Sequence, residues 1–209
     1  METDMEASAR RKGGRPLSFD RDAALEQAML LFWRHGYETT SISDLTRAMG
    51  ITPPSLYTAF GDKRRLFLEA ARRYAGDPEA IREAIDGAAT ARDAAAMLLT
   101  SAVVVFTGEA TPPGCLLASA TASGSAASSD VQAVVACYRR AICDRLQARI
   151  ERDVANGTLP DQTDPTALAT LVVTMVQGLS VMARDGASRA LLSGVADALL
   201  RAWPDPLLT

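Results

Sequence analysis

The chain has 209 residues, of which 48% are apolar and 22% are charged, and its formal net charge is −3. This apolar fraction is large enough for a folded core, and the small negative charge argues against indiscriminate binding to polyanions. The three cysteines include no Cys-x-x-Cys pair, which argues against a disulfide scaffold and fits a reducing compartment.

The first 15 residues form a predicted flexible basic arm. Residues 1–9 lack the apolar segment of a signal peptide, and residues 10–15 contain four cations. Two interpretations of the arm remain open: a solvated tail, or a clamp on DNA in which Arg15 takes part. The uninterrupted apolar stretches are shorter than the roughly 20 residues of a membrane span, so we expect no membrane partner and a cytoplasmic protein.

Residues 16–75 show the pattern of a helix-turn-helix domain. A first helix is expected from Asp20 to His35, and Thr40 or Ser41 can cap a second helix that Gly50 ends. Thr52 then caps a third helix, with proline at its first position, where a missing N–H costs nothing. Residues 10–73 carry 12 Lys and Arg against 7 Asp and Glu, whereas residues 75–209 carry 10 against 15, so the positive charge is concentrated in this part of the chain.

The third helix presents its polar side near its N-terminal end. Leu56 and Phe60 can face the core, which leaves an outward set at Thr52, Pro53, Pro54, Ser55, Tyr57 and Thr58. In a helix-turn-helix this end enters the major groove. Asp62 caps a further helix that begins with three cations, led by Lys63; cations are unfavourable at this end of a helix dipole, which favours a phosphate partner.

After Tyr74, residues 76–78 mark a boundary, and residues 76–209 are predicted to form a helical C-terminal domain. Its second helix is apolar nearly all round and should therefore be central. A short segment of small residues, weakly specified, spans residues 115–127. The expected helices are Pro78 to Ala89, Arg92 to Gly108, Ser129 to Asn156, Asp164 to Asp185 and Ser188 to Trp203.

The stretch Gly50-Ile51-Thr52 through Leu56-Tyr57, followed by Phe60, Lys63 and Leu66-Phe67, resembles the DNA-binding domain of TetR-family transcriptional regulators. The resemblance covers about 60 residues. It implies an all-α homodimer with an N-terminal three-helix reader of operator DNA and a C-terminal domain that binds a small ligand and pairs with its twin. It also implies DNA contacts from residues 52–55, Tyr57 and Lys63. Many relatives have His or Tyr where this chain has Ala59, so a backbone contact from that position is absent here.

Beside the helix-turn-helix residues, Thr40, Ser41 and Arg15 complete the predicted DNA-binding set. A ligand cavity lined by Met97, Phe106, Met175, Val176 and Met182 is one interpretation of the C-terminal apolar residues, and an ordinary core is the other. An apolar effector of unknown identity is favoured over a phosphate or metal. The last two helices are expected to build the dimer through Leu168, Leu171, Met175, Leu179, Leu192, Val195 and Leu199.

Other functions fit the sequence less well. An enzyme is disfavoured because the single histidine, His35, lies in the reader, and no catalytic set, cofactor loop or metal cluster can be assembled. Cys115, Cys137 and Cys143 are interpreted as small core residues, with a thiol sensor as the alternative. Control by a protein partner instead of a small molecule, and activation instead of repression, remain open because both need the same reader.

Overall fold

Four capped helices form the N-terminal part of the chain. In the computed structural model, which describes residues 19–119 and 129–205, these are α1 (Arg21–His35), α2 (Ile42–Met49), α3 (Pro53–Phe60) and α4 (Lys63–Ala75). The side chains of Asp20, Ser41, Thr52 and Asp62 accept hydrogen bonds from the first-turn N–H groups of these helices. Since local caps fix the starts, the predicted boundaries agree closely with the observed ones.

The core of this part is built around three aromatic rings. Phe67 packs edge-on against Phe32 and Tyr37, with ring centroids 5.2 and 5.1 Å apart. Arg21 fastens α1 to α4 by a bidentate bond to Glu69, with N···O distances of 2.5 and 2.8 Å. The inner faces of the two helix-turn-helix elements are buried in the same core, so the orientation of α3 is set by close packing.

The C-terminal part contains six further helices within the described residues. They are α5 (Pro78–Gly87), α6 (Ala91–Phe106), α7 (Leu116–Ser119), α8 (Ser129–Ala155), α9 (Pro165–Arg184) and α10 (Arg189–Arg201). The predicted central helix is α6, which packs against α5, α8, α9 and α10. It is not buried all round, however, because Val104 and Val105 are about half exposed.

The two parts share a core. Leu116 on α7 and Val131 and Val135 on α8 are buried together with the apolar side chains of α1 to α4. The sequence boundary near Gly76 separates the helices in order along the chain, but α7 and the start of α8 pack back onto the reader. A displacement of these two elements therefore bears directly on α1 and α4.

A buried ion pair fastens α8 to the turn between α5 and α6. The Arg149 guanidinium pairs with the Asp153 carboxylate and donates to the carbonyls of Ala88 and Ala89. The second oxygen of Asp153 accepts the Ala91 N–H at 2.6 Å. Both side chains are less than 10% exposed, so neither charge has solvent as an alternative partner.

Asp153→Ala is expected to lower the free energy of unfolding by about 3–5 kcal/mol, because the Arg149 charge is then buried without its partner. Glu151→Ala is the matched control on the same helix. Glu151 is exposed and accepts only from Gln147, so its loss should change stability by less than about 0.5 kcal/mol. Urea unfolding of both variants makes the measurement, and equal losses would contradict the assigned role of Asp153.

Candidate DNA-binding surface and internal cavity

Hydrogen bonds of the backbone and of side chains fix the turn between α2 and α3, and the sequence pattern predicts the residues that form them. Ser41 and Asp44 form a capping box at the start of α2. Gly50 has φ 66°, in the left-handed region where a side chain is disfavoured, and this ends α2. The Thr52 hydroxyl lies 2.9 Å from the Ser55 hydroxyl and caps α3. Leu45 and Leu56 are fully buried between the two helices.

The outward face of α3 agrees with the predicted set. The exposed residues are Thr52, Pro53, Pro54, Tyr57 and Thr58, while Ser55 is half-buried. The Tyr57 side chain is 50% exposed, and the described residues offer its hydroxyl no hydrogen-bond partner. A rigid helix end that carries hydroxyls and a free phenol can contact both phosphates and base edges in a major groove.

Thr40 and Ser41, the two predicted DNA contacts at the start of α2, differ in solvent exposure. Thr40 is 2% exposed, and its hydroxyl donates to the Gly36 carbonyl at 2.7 Å, which argues against the predicted DNA contact from this side chain. The β-branched side chain instead closes the loop after α1. Ser41 is exposed and remains available at the helix N-terminus. Arg15 lies outside the described residues.

Lys63 is held in place before any partner arrives. Its ammonium donates to the Glu38 carbonyl at 3.2 Å and lies 4.6 Å from the centre of the Tyr37 ring. Burial lowers the pKa of Lys63, while the nearby carboxylate of Glu38 opposes this shift. The geometry positions one cation at the start of α4, next to the loop that leads into α2.

Two arginines that the sequence interpretation did not select lie at the surface between α1 and α2. Arg34 and Arg47 border a surface groove with His35 and Thr39, between the end of α1 and α2. The Arg47 side chain is 78% exposed and only loosely paired with Asp44, at 3.7 Å. A search for solvent-exposed cations near a predicted cap would have identified both residues.

Lys63→Ala is expected to weaken binding to all DNA sequences alike and to reduce the salt dependence of binding by about one counterion, because phosphate contacts carry no sequence information. Affinities for an operator and for an unrelated duplex, each measured over a range of salt concentrations, provide the test. A variant that changed operator preference at an unchanged salt slope would contradict the phosphate role.

A cavity of about 400 Å³ lies in the C-terminal part, bounded by α4, α5, α6, α8 and α9 and by the segment around α7. Its wall is mostly apolar. Of the five predicted ligand residues, Phe106 and Val176 line it. Met97 and Met175 pack against the core outside the lining, and Met182 is 47% exposed. The residues that sequence reasoning missed include Tyr74, Ile85, Leu98, Cys115, Leu117, Tyr138 and Ile142.

Tyr74 and Cys115 connect the cavity wall with α1. Both side chains line the cavity, and burial raises the pKa of Tyr74. Its ring also packs edge-on against Trp33, at 4.7 Å between centroids, and the Trp33 indole donates to the Gly114 carbonyl at 3.0 Å. Both wall residues therefore contact elements that hold the reader.

Arg184, at the end of α9, joins the same group. Its guanidinium donates to the carbonyls of Trp33 at 3.0 Å and Cys115 at 3.3 Å. The backbone N–H of Cys115 donates to the Ser180 hydroxyl at 2.8 Å. We call Trp33, Tyr74, Gly114, Cys115 and Arg184 the junction. Of the other cysteines, Cys137 is exposed and Cys143 is half-buried.

The apolar residues of α9 and α10 are divided between the protomer core and its surface. Leu179, Leu192 and Leu199 are at most 9% exposed and pack inside the protomer, and Leu168 and Met175 are partly buried against the same core. By contrast, Leu171 is 49% exposed and Val195 is 36% exposed. A dimer interface formed by α9 and α10 can therefore use only the exposed side of each helix.

That exposed side is apolar and contains small residues. On α9 it carries Leu171, Thr174, Gly178, Val181 and Met182, and on α10 it carries Leu191, Gly194, Val195 and Ala198. A Cβ added at Gly178 or Gly194 would meet no atom within 4 Å, so a partner backbone has room to approach. By length and composition alone α9 is apolar enough to cross a membrane, with 28% of it buried in the protomer.

Two family models match most of the chain. "Bacterial regulatory proteins, tetR family" matches residues 24–70, and "Tetracyclin repressor-like, C-terminal domain" matches residues 91–199. The HTH-type transcriptional repressor ComR of Escherichia coli (strain K12) is 37% identical over 208 residues, which cover 98% of this chain and 99% of that one. The HTH-type transcriptional repressor BdcR of the same strain is 41% identical over 63 residues, 30% of this chain and 32% of that protein.

A solved structure with a similar fold contains DNA. It is a cysteine mutant of the TetR family transcriptional regulator CifR, complexed with a 26 bp double-strand operator. It is 43% identical to this chain, with a TM-score of 0.83, and the match covers 91% of this chain and 100% of that one. The described helices thus match a known arrangement of reader and C-terminal domain over nearly their whole extent.

Proposed function

The chain belongs to the TetR family of bacterial regulatory proteins, whose members are DNA-binding transcriptional regulators, and from this premise we propose that it is a homodimeric repressor that a small effector releases from a palindromic operator. The site of action is then the cytoplasm, where the operator lies. The family assignment excludes an enzyme, and it leaves the operator, the dimer and the effector as proposals.

The exposed N-terminal end of α3 is the observation that carries DNA recognition. Its polar face is exposed except for the half-buried Ser55, while Leu56 and Phe60 on the opposite face are buried, as a reader inserted into a groove requires. A relative with 43% identity was solved on operator DNA, which supports the same use of this surface here. A relative that is matched over 99% of its length is named a repressor, which favours repression over activation.

A homodimer is supported by the exposed apolar sides of α9 and α10. Two such helices from each protomer can form a four-helix bundle that covers both sides. A two-fold axis through this bundle would set two readers against the two half-sites of a palindrome. The bundle also accounts for an α9 that is apolar on its surface without requiring a membrane.

Control by a small molecule is supported by the cavity and its connection to the junction. A ligand that contacts Tyr74 or Cys115 bears on side chains that pack against or hold α1. A state with the wall displaced would move α1 and the reader relative to the dimer, so a ligand that prefers that state would lower operator affinity. Control by a protein partner is the second candidate, since Val104 on α6 is half exposed and lies outside the cavity lining and outside α9 and α10.

The test begins with selection of bound sequences from random duplex DNA by the full-length protein. We expect a palindrome whose two halves are both protected, and protection of a single half-site would overturn the proposed dimeric reader.

Ala141→Trp, at an exposed position on the cavity wall, then distinguishes the two modes of control. It should abolish release by a small effector and keep operator binding, whereas unimpaired release would show that the effector binds outside this cavity. Absence of release by any small molecule would favour a protein partner. Ala133→Trp, exposed on the same helix outside the cavity, is the control.

A further inference from the structure

The cavity wall has the opposite charge from the part of the chain that surrounds it. Residues 75–209 carry five more acidic than basic side chains. The lining residues nevertheless include three arginines, Arg82, Arg139 and Arg145, against the single carboxylate of Glu79. Such an excess of positive charge favours an anion over a neutral or cationic ligand.

The hydrogen bonds and ion pairs of these three arginines show which of them can bind a ligand. Arg82 is bound to Glu79, and Arg145 is bound to Asp86. Within residues 19–119 and 129–205, which the structure describes, Arg139 has no hydrogen bond or ion pair. Arg139 is half-buried on the cavity wall, so its charge is partly removed from water without compensation from these residues.

A second unmet donor lies on the same helix. The Nε atom of Arg145 is buried and lacks a hydrogen-bond partner in the described structure, although the outer nitrogen of the same side chain pairs with Asp86. Buried N–H groups are rarely left unpaired, because an unmade bond costs the desolvation of the group. Among the described residues, the Arg139 guanidinium and the Arg145 Nε–H thus lack acceptors at the wall of one cavity.

The uncharged residues of the cavity wall indicate that the rest of the ligand is apolar. Ile85, Leu98, Phe106, Leu117 and Ile142 offer hydrocarbon and aromatic surface without charge. About 400 Å³ lies within the range of small-molecule sites and accommodates a body of roughly ten to twenty heavy atoms. A polyanion such as a nucleotide would place charge against this surface, which is costly.

We propose that the effector is an amphipathic monoanion, a carboxylate on an apolar body, whose head group binds Arg139 and whose body fills the space between α5, α6 and α8. This inference rests on the proposed function, since it gives the chemical class of the molecule that would release the operator. The carboxylate accepts from the Arg139 guanidinium, and Arg145 lines the same cavity. The apolar body displaces water from the wall that includes Tyr74 and Cys115.

The experiment compares probes that share a body and differ in head group: decanoate, decan-1-ol and decylamine, and 4-phenylbutyrate with its alcohol and amine, all below micelle-forming concentrations. Calorimetry measures binding to the full-length dimer, and a fluorescent operator reports release. At least one carboxylate should bind about tenfold or more tightly than its alcohol, in line with hydrogen bonds to charged groups, and the amine should bind least. Arg139→Gln should reduce the carboxylate to the affinity of the alcohol and leave the alcohol unchanged.

Arg140→Gln is the matched control, since Arg140 is adjacent, exposed and outside the cavity. Equal affinity of carboxylate and alcohol, equal effects of the two substitutions, or no binding by any of the six probes would each overturn the inference. Carboxylate binding that depends on Arg139 but leaves the operator bound would support the ligand class and refute the effector role. The two failures are therefore distinguishable.

Discussion

Leu171→Glu and Val195→Glu are each expected to convert the dimer to a monomer and to lower operator affinity by about 100-fold or more. Leu171 is 49% exposed on α9 and Val195 is 36% exposed on α10, so a carboxylate at either position is solvated in the monomer and buried without a partner in the proposed bundle. That burial costs several kcal/mol, and each 1.4 kcal/mol is about a factor of ten. One reader alone contacts one half-site, so the operator complex should be lost although α3 is untouched.

Sedimentation and operator titration of both variants provide the measurement, and thermal unfolding shows whether the monomer stays folded. Leu192→Glu is unsuitable as a test, because Leu192 is 1% exposed inside the protomer and its replacement would unfold the chain. Ala190→Glu is the control, at an exposed position at the edge of the α10 apolar side. If both test variants remain dimeric with normal affinity, the interface lies elsewhere, and α8 is then the next helix to examine.

The starts of the reader helices were predictable because the signals are local. Asp20, Thr52 and Asp62 cap the helices that follow them, since a cap needs only the first-turn N–H groups a few residues away. Thr40 was assigned to the DNA surface because sequence could not distinguish it from Ser41 as the cap. The loop after α1 turns its side chain inward, where the Gly36 carbonyl accepts its proton.

Helical periodicity identified apolar residues in the last two helices but not the side on which each one packs. Both helices are apolar on more than one side, so spacing alone could not separate Leu192, buried in the protomer, from Leu171, which is exposed. The cavity was harder still. Phe106 and Val176 line it, whereas the flexible methionines do not, because the lining depends on how α5 and α8 close over α6.

No local sequence pattern predicts the contacts of the junction. The indole of Trp33 bonds to Gly114, 81 residues away, and Arg184 reaches back 151 residues to the Trp33 carbonyl. Each partner is an ordinary residue whose neighbours in sequence give no sign of the contact. Only the packed fold brings α1, the Gly114 turn and α9 together.

Gly114→Ala is expected to damage both stability and operator binding. Gly114 has φ 78°, and a Cβ there would lie 2.7 Å from Cγ of Arg184 and 2.8 Å from the Ser180 carbonyl oxygen. The arginine side chain can move, but the backbone carbonyl of α9 cannot yield without shifting the helix. The substitution therefore displaces the Gly114 carbonyl from the Trp33 indole, or Arg184 from α1.

Gly157→Ala is the control for backbone strain alone. Gly157 also has a left-handed backbone, with φ 72°, but a Cβ there meets no atom within 4 Å, unlike a Cβ at Gly114. We expect a loss of about 1–2 kcal/mol in the free energy of unfolding for Gly157→Ala, with operator affinity unchanged. Gly114→Ala should lose about 2–5 kcal/mol, because overpacking of about 1–3 kcal/mol adds to the same strain. Below its unfolding transition it should also bind the operator about tenfold more weakly, since α1 is no longer held to α9. Titration of both variants with operator and with nonspecific duplex measures this. If the two alanines behave alike, strain alone explains the glycine, and the junction does not fix the position of the reader.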